Sequence, residues 1–338
     1  MSTLSVLIIN FSIFSGEQAQ FHRQWPHVPL AASRNAKVYL IDFAMSGCAS
    51  LLEWGRNNSQ QQQQSSPQWS LIYHSRRRGT SQSGWSQLLS DLVSHLPLRR
   101  ISVVLYNGHS GGVVIGSWRR GSRRPQVSIV QFARAIAPLS PTIVGFDGCH
   151  MGQLLSLYEL AAVTRYVIAT PSYCGLYNAG SILVSNTLSR LTRDILASPT
   201  ATERWFGRLL RERANRVRAR SYDCMVVYRC RYLEPLVSRL RQLAQQRRLV
   251  FTQSGLLLRE DRNTFDLRSV IGADHIAADR LRQVVPRRRY ITCSRGFGLS
   301  VEHFAYCRHR ALYRQSRLFR SAPELFERRC MCDGYGDN

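Results

Sequence analysis

The chain has 338 residues, 44% of them hydrophobic, and a formal net charge of +25 in which Lys37 is the lone lysine among 46 basic residues. That length and apolar content bury a sizeable core, as one large α/β domain with additions or as two lobes, and exclude a small disulfide scaffold. An arginine excess of this size attracts nucleic acid, anionic membrane or acidic proteins, yet the arginines are dispersed with no nucleic-acid-binding motif beside them, which argues against nucleic-acid binding as the main function.

In chain order, Leu4 to Phe14 is apolar, lacks a basic segment before it and falls short of a membrane span. It predicts a first core strand rather than a signal peptide, which makes an intracellular location the default expectation. Lys37 to Phe43 predicts a second buried strand. Asn57 to Gln68 holds a glutamine run with serines and a proline, a composition that cannot pack and reads as a disordered surface insertion. Trp85 to Leu96 carries Leu88, Leu89, Leu92 and Leu96 on one helical face and leads into a strand over Ile101 to Tyr106. An arginine-rich loop, Ser117 to Pro125, and a helix over Val130 to Ala137 come next. A strand over Thr142 to Phe146 precedes a helix with Met151, Leu154, Leu155 and Tyr158 on one face, and Tyr166 to Ala169 is a further strand. Strands alternating with helices predict an α/β fold, a mostly parallel sheet with helices on both faces.

After Ala169 the pattern changes. Helices are expected over Ser181 to Leu196, Glu203 to Arg220, Tyr232 to Gln246 and Ala273 to Val284, with a separate strand over Ser221 to Val227. Beyond His303, the segment holding Tyr313, Leu318, Phe319, Leu325 and Phe326 is expected to dock as a closing piece, and Cys330 to Asn338 to fray.

Two strand ends carry chemistry. Asn107-Gly108-His109-Ser110-Gly111-Gly112 follows one, and Asp147-Gly148-Cys149 follows the other. A cysteine there lies at the carboxyl end of a strand, where open α/β sheets place their sites, and beside the N–H groups of an expected helix start, which lower a thiol's pKa. If the two strands are parallel neighbours joined by a crossover, His109 emerges beside Cys149 and can take its proton, while the glycines let a substrate carbonyl approach backbone donors. The plainer alternative is a buried structural thiol and a surface-turn histidine. Of the nine cysteines, Cys307 with His309 and Cys330 with Cys332 are candidate zinc ligands, although their spacing departs from the usual two to four intervening residues.

These residues resemble the clostripain-like cysteine peptidases, family C11, a branch of the caspase-like clan that also holds gingipains, legumains, separases and caspases. The family pattern is an apolar strand ending His-Gly-x-Gly, then a strand ending Asp-x-Cys-x-Met-Gly and a helix ending Tyr-Glu-Leu. This chain has Asp147-Gly148-Cys149-His150-Met151-Gly152 and then Tyr158-Glu159-Leu160, in register, and Gly298-Leu299-Ser300-Val301 resembles the family's late Gly-Leu-Ser strand. Ser110 stands where the family has glycine after the histidine, Gly108 where it commonly has aspartate, and Thr170-Pro171-Ser172 where acidic residues usually follow the next strand.

The resemblance implies a cysteine endopeptidase of caspase-like fold. Residues 1 to 175 would form the catalytic core, 176 to 329 a C-terminal helix-and-strand layer packed on it, and 330 to 338 a tail. Cys149 would attack as thiolate, and His109 would act as general base and then as proton donor. The N–H of Cys149, with that of Ser110 or Gly111, would hold the oxyanion. Asp147 would contribute to a pocket for a basic substrate side chain, unless it caps the helix that follows. Relatives are activated by cleavage after a basic residue in the interval between histidine and cysteine, which here offers Arg119, Arg120 and Arg123. The chemistry needs no cofactor; calcium occurs in relatives, but no calcium loop is legible. Partners would be protein or peptide substrates. The alternative is a catalytically inactive caspase-like scaffold acting as a basic protein- or nucleic-acid-binding protein.

Overall fold

The computed structural model describes residues 3–11, 36–43, 48–55, 68–75, 79, 81–116, 126–171, 180–216, 225–251, 264–285, 299–302 and 310–326. Strand β1 (Leu4–Phe11) is buried along its whole length and β2 (Ala36–Phe43) over its last six residues. Apolar runs without alternation are what a strand covered on both faces requires. β3 (Ala49–Gly55) and β4 (Gln68–His74) form an antiparallel pair added to β2. Neither was expected, and Gln68, read as part of the glutamine insertion, opens β4; residues 57 to 67 lie outside the described residues.

Helix α1 (Gln82–Ser94) starts where the Ser81 hydroxyl accepts from the Gly84 amide, and it crosses over to β5 (Val103–Gly108). A short antiparallel pair, β6 (Val114–Gly116) and β7 (Gln126–Ser128), precedes α2 (Ile129–Ile136), whose start is set by a capping box between Ser128 and Gln131. β8 (Ile143–Asp147), α3 (Leu154–Leu160) and β9 (Tyr166–Ala169) follow. The later elements are α4 (Gly180–Arg190), α5 (Arg193–Ala197), α6 (Pro199–Arg216), β10 (Val226–Arg229), α7 (Leu233–Gln245), β11 (Thr264–Asp266), α8 (Leu267–Val270), α9 (His275–Val284), β12 (Ser300–Glu302), α10 (Arg310–Arg314) and α11 (Arg317–Ser321). The helix expected over residues 181 to 196 is broken at Leu191 and Thr192, because the Thr192 hydroxyl caps a new start by accepting from the Ile195 amide.

One eight-stranded sheet runs β10-β9-β8-β5-β1-β2-β3-β4. β9, β8, β5, β1 and β2 are parallel, and antiparallel strands flank them on each side. β10 is therefore not the separate strand expected: Val226 pairs with Ala169, and the second half of the chain completes the first half's sheet. Helices cover both faces, as expected. On one, Ile9, Phe11, Tyr106 and Phe146 pack with Leu88, Phe132 and Leu157; on the other, Ile8, Leu105 and Ile143 pack with Leu183, Trp205 and Leu209.

α3 is buried on all sides rather than on the single face expected, because the C-terminal segment covers it. The Arg317 amide donates to the Glu159 carboxylate, the Arg317 guanidinium lies 5.0 Å over the Tyr158 ring, and the Tyr158 hydroxyl donates to Glu234 at 2.5 Å. Burial pushes the Glu159 carboxyl upward, and Arg317 offsets part of that rise. Tyr313, Leu318 and Phe326 are buried, so the segment does dock.

Asp274 joins α9 to α7. Its carboxylate accepts from the Ala277 amide at 2.8 Å and from Arg239 at 3.2 and 2.6 Å. Chiefly the Arg239 bonds hold its carboxyl down at about 2, from an ordinary 3.8. A depressed carboxyl stabilises fully above its unfolded value and loses that contribution as the pH falls through its folded one. Asp274→Asn should therefore lower Tm by about 5 °C at pH 7. The deficit should shrink as the pH is taken from 4 toward 2; a deficit of equal size at both ends would contradict the pairing.

Candidate active site

β5 and β8 are parallel neighbours in register, from Val103 opposite Ile143 to Asn107 opposite Asp147. His109 and Cys149 each lie two residues past that last pair. Both therefore leave the carboxyl edge of adjacent strands, which are about 4.8 Å apart in any sheet, and both are partly exposed there. This is the edge where open α/β sheets carry their sites.

The helix start lies elsewhere than expected. α3 begins at Leu154 with no side-chain cap at Gln153, and residues 148 to 152 form turns. His150 takes a left-handed conformation, φ 59°, and the Gly152 amide turns away to the Thr170 carbonyl at 2.8 Å. Cys149 thus sits five residues before the helix, inside the turn rather than at the helix start. Asp147, 8% exposed at the end of β8, does not cap that helix either.

The two loops are pinned through their carbonyls. The His109 carbonyl accepts from the Tyr106 hydroxyl at 2.5 Å and from the Gly116 amide at 2.7 Å. The Cys149 carbonyl accepts from the Ser110 hydroxyl at 2.6 Å. Ser110 bridges Ile115 in an antiparallel pair in which Gly111 donates to the Val114 carbonyl at 2.9 Å. The hairpin thus engages the amide of Gly111, whereas alternation in such a pair turns the Ser110 amide away from it. Gly148 is required by close approach, since a Cβ there would lie 2.4 Å from the Ser110 hydroxyl oxygen and 2.8 Å from the Gly108 carbonyl.

Behind the turn that carries Cys149, a Cβ on Gly152 would strike the Tyr228 hydroxyl and Pro171. Ser300 donates its hydroxyl to the Pro171 carbonyl at 2.8 Å and its amide to Gly152 at 3.3 Å. Ser300 thereby braces the turn that carries Cys149.

A row of polar residues escaped the sequence reading. Asp42, Asn10, Asn107 and Asp147 lie opposite one another across β2, β1, β5 and β8. Asn107 donates to the Asn10 side-chain oxygen at 2.8 Å, and Asn10 donates to Asp42 at 2.7 Å. On the other face, next to this row, Phe43, Phe11, Tyr106 and Phe146 form an aromatic layer with neighbouring centroids 4.3 to 5.8 Å apart. The signal was present as four polar–aromatic neighbours at the ends of apolar runs: Asn10-Phe11, Asp42-Phe43, Tyr106-Asn107 and Phe146-Asp147.

Arg119, Arg120, Arg123, Cys307, His309, Cys330 and Cys332 lie outside the described residues. Among the described residues, no group of three or more His, Cys, Asp or Glu could hold a metal ion. No helix among them is long and apolar enough to cross a membrane. Of the described thiols, Cys230 is buried and pushed up to about 12 by that burial, in contrast to the partly exposed Cys48 and Cys149.

No family model matches the chain, and no curated protein matches it in sequence. Solved structures do match it. One is the X-ray structure of iotapain, a secreted C11 cysteine protease from Bacteroides thetaiotaomicron, with a TM-score of 0.65 and 14% identity over 95% of this chain and 99% of that one. A second, a secreted C11 cysteine protease from the same organism in complex with an irreversible peptide inhibitor, matches at 0.67 and 14% over the same shares. A third, an inactive zymogen C11 protease from Parabacteroides distasonis, matches at 0.61 and 13% over 97% of this chain and 99% of that one. The chain therefore has the caspase-like α/β fold of these C11 structures.

Proposed function

We propose that the chain is a clostripain-like cysteine endopeptidase whose dyad is Cys149 and His109. The observation that carries this reading is the in-register pair Asn107–Asp147, which sends both residues off adjacent strand ends at one edge. The fold shared with three structures described as C11 proteases supports it. His109 takes the Cys149 proton, and the thiolate attacks the scissile carbonyl carbon. The oxyanion is held by the amides of Cys149 and Ser110, of which the second is the one of the two candidates that the hairpin leaves available. The intermediate collapses by breaking the C–N bond, His109 returns its proton to the leaving amine, and water then hydrolyses the thioester. The net charge of +25 favours the other reading, a basic binding scaffold without catalysis, which predicts no hydrolysis at all.

Asp147 sets a preference for arginine before the cut. It is a buried carboxylate two residues from Cys149, and a carboxylate there can pair with a guanidinium through two parallel bonds. On fluorogenic peptides varying that residue, the wild type should prefer arginine. Cys149→Ala and His109→Ala should each lose at least about a thousandfold in kcat/KM, and Asp147→Asn should lower arginine-over-leucine selectivity about tenfold or more. Preference for leucine or aspartate, or selectivity unchanged in Asp147→Asn, would sink the specificity; unimpaired Cys149→Ala would sink the peptidase.

The segment between the dyad residues is the enzyme's own nearest substrate. β6 and β7 bracket residues 117 to 125, and Gly116, which bonds the His109 carbonyl, is paired with Gln126. Arg119 lies three residues beyond Gly116, within about 11 Å of chain reach, so the tether supplies a high effective concentration. Pro125 removes the amide N–H after Arg124, which leaves Arg119, Arg120 and Arg123. Intact mass should show two fragments from wild type, cut after one of these three, and one full-length species from Cys149→Ala. A full-length wild type that still hydrolyses arginyl peptides would end the self-processing proposal, leaving an arginine-rich loop that binds anions.

A further inference from the structure

Ser110 is the place where this chain departs from the glycine expected after the histidine, and its side chain is engaged. It is buried, and its hydroxyl donates to the Cys149 carbonyl at 2.6 Å, at the short end for an O–H···O bond. The partner position makes room for it. A Cβ on Gly148 would lie 2.4 Å from that hydroxyl oxygen, so the two loops approach this closely only with glycine at 148.

We propose that the Ser110 side chain is a positioning residue for acyl transfer: its hydroxyl holds the peptide that follows Cys149 in one of two orientations. The inference rests on the peptidase reading above. His150 has φ 59°, a conformation disfavoured for an L side chain. Rotation of the Cys149–His150 peptide plane would relieve it, and in doing so would swing the Cys149 carbonyl around. A donor fixed on that carbonyl selects the unrelieved orientation. The same bond links Cys149 to Ser110, the two residues whose amides serve as oxyanion donors in the mechanism, and so sets the spacing between them before substrate arrives.

Ser110→Ala keeps the amide and removes only the hydroxyl, whereas Ser110→Thr keeps both. The reading separates kcat and KM on an arginyl peptide from the rate of Cys149 alkylation by iodoacetamide, which needs the thiolate but no oxyanion donors. Ser110→Ala should lose about ten- to a hundredfold in kcat, with KM and alkylation within about twofold of wild type. Ser110→Thr should recover part of that loss, with a kcat above that of Ser110→Ala. Circular dichroism checks folding, and Ser110→Gly, which leaves no methyl behind, replaces Ser110→Ala if that variant is unfolded. A kcat retained in Ser110→Ala while the wild type is active would overturn this inference alone. So would alkylation or KM changing by the same factor as kcat. A wild type that hydrolyses no peptide would overturn this inference and the peptidase reading together.

Discussion

The site depends on one piece of registration: β5 and β8 run parallel with Asn107 opposite Asp147. A slip of one residue would send one partner's side chains to the wrong face of the sheet and separate the two strand ends by a residue. Two layers resist such a slip at that level. The aromatic layer of Phe43, Phe11, Tyr106 and Phe146 sits on one face, and the Asp42–Asn10–Asn107–Asp147 row on the other. In the row, the direction of bonding is set by Asp42, which as a carboxylate can only accept, so Asn10 must present its oxygen to Asn107. Tyr106 belongs to the aromatic layer and also reaches the His109 carbonyl, which couples core packing to the position of the histidine.

The second half of the chain completes the site rather than standing apart from it. β10 pairs with β9, Tyr228 flanks Gly152, and Ser300 bonds both Pro171 and Gly152. Burial and the nearby Asp266 push the Tyr228 hydroxyl well above its ordinary value, so it stays protonated beside the turn that carries Cys149. Arg317 and Glu234 hold the far end of α3 through Glu159 and Tyr158. The turn bearing Cys149 is therefore braced by Tyr228 and Ser300, both from the second half of the chain.

What was legible in the sequence were local patterns: apolar runs, which marked β1, β2, β5 and β8, and a helical period that marked α1 and α7. The C-terminal edge of the sheet followed from those runs. The start of α3 did not, because Met151 is spaced like a helical face residue although it packs from a turn that the left-handed His150 creates. β3 and β4 were hidden by the glutamine tract between them. The strand at Val226–Arg229 was visible, but its place at the sheet edge is a long-range pairing that no local pattern carries. The same holds for the polar row and for the Ser110–Cys149 bond, which joins residues 39 apart. Ser110 reads as a defect in a motif until Gly148 is placed beside it.

The central claim is that Cys149, and no other thiol, is an activated nucleophile paired with His109. A peptidyl acyloxymethylketone ending in arginine tests it directly, because attack by an activated thiolate forms a thioether and expels the carboxylate. Digestion and mass spectrometry of the wild type should place the adduct on Cys149 alone, with Cys48 and the buried Cys230 unmodified, and His109→Ala should abolish it. Equal labelling of Cys48 and Cys149, or labelling of Cys149 that survives His109→Ala, would contradict the account.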